Sequence, residues 1–269
     1  AENLLPNPAD EGRIRQHAVD IGKSVYRPLS TPQQIEDALD ALLKVVAELS
    51  TQYPIVLVHG GGDQVDSWLA TFGFSTQKID GQRVSPKEQM PVITGALAGA
   101  VNSLMVSRAQ LQGLKAVGLT LAAGNSLKFE VNTKLGAVGI AKANDGTLVN
   151  TLLQSGFVPV FSSIGQSDDG DLLNVNADLA AAAICQLVQG QLVLLTDVPG
   201  ILDAEGQLIS TLDGKGAQAL VDSGVIKGGM KVKLDAALDT AQALRRSITV
   251  AGWQHPQDLL NLMRRQAVG

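Results

Sequence analysis

The segment from Ile55 to Gly62 joins a short apolar run to three consecutive glycines. Ile55–Val58 has the character of a buried strand, His59 follows it, and Gly60 to Gly62 lead into a helical pattern that begins near Val65. Glycine has no Cβ atom, so its backbone can come close to an anion, and the N–H groups at a helix start carry partial positive charge. A tight turn without a ligand is the alternative, but three glycines in a row exceed what a turn requires. The segment therefore predicts a phosphate-binding loop between a strand and a helix.

Short apolar runs alternate with helical patterns along most of the chain. Alternation of this kind is typical of βαβ units, which form a mainly parallel sheet with ligand sites at the carboxyl ends of its strands. We predict strands at Ile55–Val58, Ala116–Leu119, Phe157–Phe161, Leu192–Leu195 and Ile248–Ala251, and helices at Ile35–Leu49, Ile93–Leu111, Ala177–Val188 and Met230–Leu244. The segments Lys128–Val131 and Leu135–Gly139 instead predict a short hairpin.

A polar, turn-prone stretch near the middle of the chain, Gln166–Asp171, is the best candidate for a boundary between two lobes. It divides the chain into an N-terminal lobe of residues 1–171 and a C-terminal lobe of residues 172–269.

The composition excludes several classes of protein. A net charge of −5 and 3% aromatic residues give neither general attraction to nucleic acid nor platforms for base stacking. The one cysteine, Cys185, lies in an alanine-rich apolar stretch and is expected to be a buried thiol. The scattered histidines predict no zinc site, and no stretch has the character of a signal peptide or a membrane span. We therefore expect a cytoplasmic protein that binds neither nucleic acid nor a membrane.

Two polar segments carry side chains suited to binding anions or organising cations. Gly81–Pro86 is predicted to be a polar loop. Its Arg83 could hold a carboxylate with its bidentate fork, although a lone arginine is more often solvated at the surface. Asn174, Asn176 and Asp178 precede or begin an almost uncharged helix. Helix capping explains part of this group, and a carboxylate at this place could also fix the position of lysine side chains.

Two further segments combine glycine with polar or basic residues. Thr196 and Asp197 follow an apolar strand and lead to Pro199 and Gly200, which suits either an ordinary β-turn or a second loop for a nucleotide. Gly228 and Gly229 open a helix that carries Lys231 and Lys233. Lysines two positions apart on a helix point in different directions, so at most one of them is expected to face a site.

Taken together, these features predict phosphoryl transfer, in which a protein mainly positions two anions and neutralises their charge. The sequence contains no Gly-x-x-x-x-Gly-Lys-Ser/Thr loop, so a Walker-type nucleotide fold is not supported.

The same motifs, in this order, resemble those of the amino acid kinase family, and within it those of the N-acetylglutamate kinases, over roughly residues 54 to 268. The resemblance rests on Val58–Gly62, Arg83–Val84, Ile93–Gly99, Ser162–Gly165, Asn174–Asp178, Asp197–Gly200 and Gly229–Lys233. It implies a three-layer αβα sandwich with a mainly parallel central sheet, an N-terminal lobe that binds the amino acid and forms a homodimer, and a C-terminal lobe that binds the nucleotide. The implied reaction uses ATP with Mg²⁺ to phosphorylate the side-chain carboxylate of N-acetyl-L-glutamate, giving an acyl phosphate for arginine biosynthesis.

The resemblance also implies roles for individual residues. On the acceptor side, Gly61 and Gly62 would line the transferring phosphoryl group, while Arg83 and Asn174 would hold the α-carboxylate of the substrate.

On the nucleotide side, Asp178 would organise the catalytic lysines and Lys233 would stabilise the phosphoryl charge. Thr196, Asp197 and Gly200 would border the ATP pocket.

The sequence departs from the family at its first strand. That strand ends in Lys-x-Gly-Gly in the family, and this chain has no such motif. Spacing back from Gly60 best places Val25–Ser30 in the slot, with Arg27 as a catalytic cation in place of the lysine and with neither glycine. A second register uses Val19–Lys23, which keeps one glycine but has Asp20 at the lysine position.

Three hypotheses follow from these observations. The first is a working kinase for N-acetyl-L-glutamate with an altered phosphate cradle. The second is a catalytically impaired relative that binds acetylglutamate, arginine or nucleotide as a regulatory module. The third is a related kinase with another acceptor, which the pairing of Arg83 and Asn174 disfavours.

Overall fold

Every strand and helix predicted from the sequence patterns has a counterpart in the structure, which also contains further strands. The computed structural model describes residues 18–21, 32–196, 201–206, 209, 212–253, 256 and 260. The strands are β1 (Ala18–Ile21), β2 (Val56–His59), β3 (Gln77–Ile79), β4 (Gln82–Val84), β5 (Ala116–Thr120), β6 (Leu127–Val131), β7 (Val138–Ala143), β8 (Val158–Ser162), β9 (Ile164–Gln166), β10 (Leu172–Val175), β11 (Leu192–Thr196) and β12 (Thr249–Gly252). The α-helices are α1 (Pro32–Ser50), α2 (Gly62–Thr71), α3 (Met90–Thr94), α4 (Asn102–Leu111), α5 (Thr147–Gln154), α6 (Ala177–Val188), α7 (Gly214–Asp222) and α8 (Gly229–Leu244).

The centre of the fold is a six-stranded sheet in the order β12-β11-β1-β2-β8-β5. All five neighbouring pairs in this sheet are parallel, so the strands end at a common edge. Helices cover both faces, because alternate side chains of each buried strand point in opposite directions. Leu57 packs into a core with α1 and α4, whereas Val56 and Val58 pack into a core with α6. The predicted three-layer αβα fold with a mainly parallel sheet is confirmed.

A second, four-stranded sheet has the order β6-β7-β10-β9. A hairpin is present as its antiparallel β6–β7 pair, from Leu127 and Ala143 to Val131 and Gly139. The first predicted strand matches β6, but the second was placed too early, because Leu135–Gly139 overlaps β7 only at Val138 and Gly139. The proposed lobe boundary, Gln166–Asp171, joins β9 to β10, which pair with each other in antiparallel fashion. The division of the chain into lobes at residue 171 stays a prediction.

The structure differs from the sequence prediction around Gly81. The stretch Gly81–Pro86 was expected to be a polar loop, but it contains β4, which pairs with β3 in a two-stranded antiparallel hairpin. Asp80 and Gly81 form the connection, both with positive φ, at 49° and 82°. Asp-Gly is a strong signal for a two-residue hairpin turn, because such turns require positive φ at both positions. The signal was therefore present in the sequence.

The predicted helix Ile93–Leu111 is helical throughout but not uniformly α-helical. A π-helical segment, Gly95–Val101, separates α3 from α4. By length and composition the stretch Lys87–Leu111 is apolar enough to cross a membrane, and it is the one helix of the described residues that passes this test. The core helix of a soluble protein passes the same test, and Ile93 and Met105 of this stretch are fully buried against the rest of the fold.

The strand that comes first in the chain, β1, lies inside the central sheet, between β11 and β2. Its register pairs Asp20 with Val58 and with Leu194. The described strand in this slot, Ala18–Ile21, overlaps the second of the two registers, Val19–Lys23, whereas Val25–Ser30 lies outside the described residues. Arg27, proposed as a substitute for the missing lysine, lies outside the described residues.

Candidate active site

A cavity of about 320 Å³ opens where β2, β10 and β11 end. Carboxyl ends of parallel strands are the usual place for ligands in α/β folds. The cavity brings together most of the residues singled out in the sequence, namely Gly61, Gly62, Arg83, Asn174, Asp178, Thr196 and Lys233. Two other predicted nucleotide-side residues, Asp197 and Gly200, lie outside the described residues, as Arg27 does. The cavity combines glycine backbone, cations and amides, a set suited to binding anions.

The glycine loop forms one wall of the cavity. Gly61 has a φ of +154°, and a Cβ atom there would lie only 3.0 Å from Leu97. Gly61 also occupies the N-cap position of α2, and no side chain among the described residues caps this helix. The amides of the first turn carry the partial positive charge of a helix start. The loop can therefore offer backbone N–H groups to an anion.

Arg83 forms an ion pair with Asp66 of α2, and its second terminal nitrogen donates to the carbonyl oxygen of Gly62 at 3.1 Å. The side chain is 8% exposed, so the alternative of a solvated surface arginine is wrong. Burial raises the pKa of the Asp66 carboxyl, but the hydrogen bond and charge of Arg83, with help from Lys78, outweigh this effect and hold it below its ordinary value. Asp66 therefore stays charged and orients the guanidinium beside the glycine loop.

Lys78 is a second cation at the cavity that the sequence analysis missed. It is the cross-strand partner of Arg83 in the β3–β4 hairpin and donates to Asp66 at 3.2 Å. Once the Asp-Gly turn is recognised, the register follows and places the two cations side by side. Asp66 was also missed, because its contact with Arg83 spans two elements and leaves no local pattern.

In the Asn174–Asp178 segment, one asparagine caps helix α6 and the other contributes its side chain to the cavity wall. Asn176 is the N-cap of α6, and its side-chain oxygen accepts from the backbone N–H of Asp178 at 2.9 Å. Asn174 makes no part of this cap; its amide donates to the hydroxyl of Ser85 at 3.0 Å, beside the strand that carries Arg83. Capping therefore accounts for Asn176 and leaves the Asn174 side chain at the cavity wall.

Asp178 and Lys233 connect two buried helices at the cavity. The ammonium of Lys233 donates to the Asp178 carboxylate, and the two side chains are only 10% and 11% exposed. Lys231 instead pairs with Asp235 at 2.5 Å and is half-buried. Lys233 lines the cavity and Lys231 does not, which agrees with the prediction that at most one of the two lysines faces a site. The Asp178–Lys233 pair holds the Lys233 ammonium in a fixed position in the lining of the cavity.

Comparison with known proteins identifies relatives along most of the chain. Residues 22–252 match the model of the amino acid kinase family. An acetylglutamate kinase of Colwellia psychrerythraea is 51% identical over 235 residues, which cover 87% of this chain and 90% of the relative. An acetylglutamate kinase of Shewanella sp. (strain W3-18-1) is 46% identical, over 83% of this chain and 86% of the relative. Among solved structures, smu.665 from Streptococcus mutans UA159 superposes with a TM-score of 0.74 at 25% identity, covering 87% of this chain and 93% of the other.

Proposed function

The chain belongs to the amino acid kinase family, and from this premise we infer that it is an acetylglutamate kinase. It transfers the γ-phosphoryl group of ATP to the side-chain carboxylate of N-acetyl-L-glutamate, a step of arginine biosynthesis. A carboxylate oxygen forms the new O–P bond, the bond between the γ-phosphorus and its bridging oxygen breaks, and ADP leaves with that oxygen. The observation that carries the proposal is that one cavity is lined by residues predicted for both the acceptor and the nucleotide.

The acceptor side of the site is assigned to Arg83 and Asn174. A guanidinium that is already oriented by Asp66 can present its remaining N–H groups to the α-carboxylate without a large entropic cost. The Asn174 amide lies near the same strand through its bond to Ser85 and can add a further hydrogen bond. These contacts fix the substrate so that its side-chain carboxylate points toward the glycine loop.

The transferring group is assigned to the glycine loop and Lys233. The backbone N–H groups of Gly61 and Gly62 meet the phosphoryl oxygens from the side of α2, and Lys233 neutralises charge from the side of α8. Asp178 holds Lys233 in place and favours its charged form. Thr196, Asp197 and Gly200 are assigned to the border of the ATP pocket.

Mg²⁺ is proposed to enter with the nucleotide, where it neutralises phosphate charge. The carboxylate of Asp63 lines the cavity and is a hard oxygen donor of the kind that Mg²⁺ takes. We also propose that the protein is a cytoplasmic homodimer that binds neither nucleic acid nor a membrane. The net charge of −5 supports the part of this proposal that concerns nucleic acid.

The register of β1 affects the catalytic rate that we expect. With Asp20 paired to Val58, we assign Asp20 to the position that the resemblance gives to the family lysine, so the proposed phosphate cradle has one cation fewer on this side. Loss of one donor to a transition state costs about two to three orders of magnitude in rate. The regulatory hypothesis is nevertheless not favoured, because the relatives with about half of their residues identical are named as kinases.

Two products measured together test the proposal. MgATP and N-acetyl-L-glutamate are incubated with the full chain, ADP is followed by a coupled assay, and hydroxylamine traps the acyl phosphate as a hydroxamate. We expect equal amounts of ADP and hydroxamate with N-acetyl-L-glutamate, and neither product with L-glutamate or N-acetyl-L-aspartate. ADP without hydroxamate would mean an ATPase. Calorimetric binding of N-acetyl-L-glutamate without either product would replace the kinase by a regulatory module.

A further inference from the structure

His59 is a buried titratable group to which the reaction scheme assigns no role. It ends β2 directly before the glycine loop and is 1% exposed. Its Nδ1 atom lies 2.7 Å from the carbonyl oxygen of Gly60, and its Nε2 atom lies 2.9 Å from Nδ2 of Asn102. A buried imidazole with a partner at each nitrogen is held in one orientation.

The partners also determine which nitrogen carries the proton. A carbonyl oxygen can only accept, so Nδ1 of His59 donates to Gly60. Nε2 is then the acceptor and takes one hydrogen from the Asn102 amide, whose other hydrogen goes to the carbonyl oxygen of Val160 at 3.0 Å. The ring is therefore the neutral tautomer with hydrogen on Nδ1.

The side-chain amide of Asn102 contacts residues of three neighbouring strands. His59 is on β2, Val160 is on β8, and Gly118 of β5 lies beneath the amide. A Cβ atom at residue 118 would stand 2.1 Å from Oδ1 of Asn102, so the amide fits only over glycine. Burial lowers the pKa of His59 to about 4, against a smaller opposing effect of the bond to Gly60. The imidazole thus stays neutral at ordinary pH and keeps accepting from Asn102.

The bond from His59 restrains the peptide unit between Gly60 and Gly61. In a trans peptide the C=O and N–H groups point in opposite directions. A carbonyl turned toward the buried imidazole therefore turns the N–H of Gly61 away from the imidazole, and Gly60 and Gly61 both line the cavity. Glycines have little conformational preference of their own, so an outside restraint is needed to select one orientation of this peptide.

We propose that His59 is a positioning residue for the glycine loop. Asn102 holds the imidazole in one orientation, and the imidazole holds the Gly60 carbonyl by a hydrogen bond. The Gly61 N–H is thereby directed toward the transferring phosphoryl group. The inference rests on the proposed kinase function for its kinetic part and on the hydrogen-bond geometry for its structural part. It assigns His59 no proton transfer and no contact with substrate.

A matched pair of substitutions tests the kinetic part. The side-chain nitrogen of asparagine reaches the place of Nδ1 in histidine, whereas that of glutamine reaches the place of Nε2. In His59→Gln the Gly60 carbonyl loses its donor, and we expect kcat to fall about 100-fold with KM for both substrates within about threefold. In His59→Asn the donor is kept, and kcat should stay within about fivefold of the parent enzyme. Equal kcat values in the two variants, or losses that follow their melting temperatures, would reduce His59 to a space-filling residue.

A spectroscopic measurement tests the structural part without activity. Nitrogen-15 NMR of the histidine-labelled full chain should show His59 with a protonated Nδ1 and an unprotonated Nε2 from pH 5.5 to 8. The opposite tautomer, or a doubly protonated ring in this range, would overturn the inference. If the parent protein does not form ADP, the kinase proposal fails, while the NMR result still decides how His59 is bonded.

Discussion

The backbone of Gly81, at the turn of the β3–β4 hairpin, lies directly against the backbone of Gly228, where α8 is about to begin. A Cβ atom on Gly81 would stand 2.6 Å from the carbonyl carbon of Gly228 and 2.7 Å from the nitrogen of Gly229. The hairpin carries Arg83 and α8 carries Lys233. The contact therefore ties the proposed acceptor-binding element to the proposed phosphoryl-binding helix, and it depends on the absence of a side chain.

Substitution of Gly81 by alanine should separate these two elements. The added methyl group meets backbone rather than a flexible side chain, so the hairpin must move away from α8. A shift of about 1 Å in a positioning residue can cost about 100-fold in rate. We expect kcat/KM for N-acetyl-L-glutamate to fall at least tenfold in Gly81→Ala, as measured by the coupled assay.

Gly73→Ala is the matched control for this substitution. Gly73 has a φ of +78°, close to the +82° of Gly81, but no described atom comes within 4 Å of its added Cβ. Both variants should lose about 1–2 kcal/mol of stability from alanine in a left-handed conformation. Only Gly81→Ala should lose catalytic efficiency, and equal kinetics in the two variants would show that the contact with α8 is unimportant.

Substitutions of the Lys233–Asp178 ion pair should affect the free energy of unfolding and kcat differently. Asp178→Ala leaves the buried ammonium without its carboxylate, and breaking a buried pair costs about 3–5 kcal/mol. Lys233→Met with Asp178→Leu removes both charges and should recover part of this free energy of unfolding. Asp178→Ala, Lys233→Met alone and the double variant should each lose at least about 100-fold in kcat. Recovery of activity together with stability in the double variant would contradict the catalytic role of Lys233.

Arg83→Lys should weaken binding of the acceptor more than it slows catalysis. Lysine cannot reproduce the two simultaneous contacts to Asp66 and the Gly62 carbonyl, so the cation is no longer held in one orientation. We expect KM for N-acetyl-L-glutamate to rise at least about tenfold with kcat changed by less than about threefold. Arg108→Lys, which alters an ion pair with Asp40 away from the cavity, should leave both constants unchanged. The assignment of Arg83 fails if kcat alone falls.

The stability gained from Asp66 should depend on pH. The pKa of this carboxyl is lower in the folded protein than its ordinary value of 3.8. A depressed pKa gives a contribution that is fully present above the ordinary value and is lost as the pH falls through the lower, folded value. Wild-type protein should therefore be more stable than Asp66→Asn at pH 7, and the difference should shrink below pH 4. Urea unfolding at a series of pH values measures it, and a difference that stays constant down to pH 3 would contradict the ion pairing.

The central sheet was predictable because its strands and helices each leave a periodic pattern within one segment. The predicted strand Leu192–Leu195 differs from β11 by one residue, and the predicted helix Ala177–Val188 has the same bounds as α6. The first strand was harder, because the polar side chain of Asp20 interrupts its apolar run. The position of this strand in the sheet depends on pairing with β2 and β11, which are distant in sequence.

Much of the candidate site was predictable from motifs, but the contacts that orient it were not. Gly61, Asn174 and Lys233 belong to short segments that resemble a known family, so their approximate place could be inferred. The bonds from Asp66 to Arg83 and from Asn102 to His59 join residues 17 and 43 positions apart. Such contacts arise only when whole elements pack together, and no local pattern encodes them.

Cys185 should be unreactive in the folded protein. It is fully buried in α6, and burial raises the pKa of its thiol to about 12, with a smaller opposing effect from Arg246. Only the thiolate attacks disulfide reagents, so at pH 8 about one molecule in 10⁴ is in the reactive form. We expect negligible labelling of native protein by an aromatic disulfide reagent and one thiol per chain in urea. Ser103→Cys, at an exposed position of α4, should add one thiol that reacts natively. Fast labelling of Cys185 without denaturant would show that α6 opens readily and that the site beside Asp178 is not rigid.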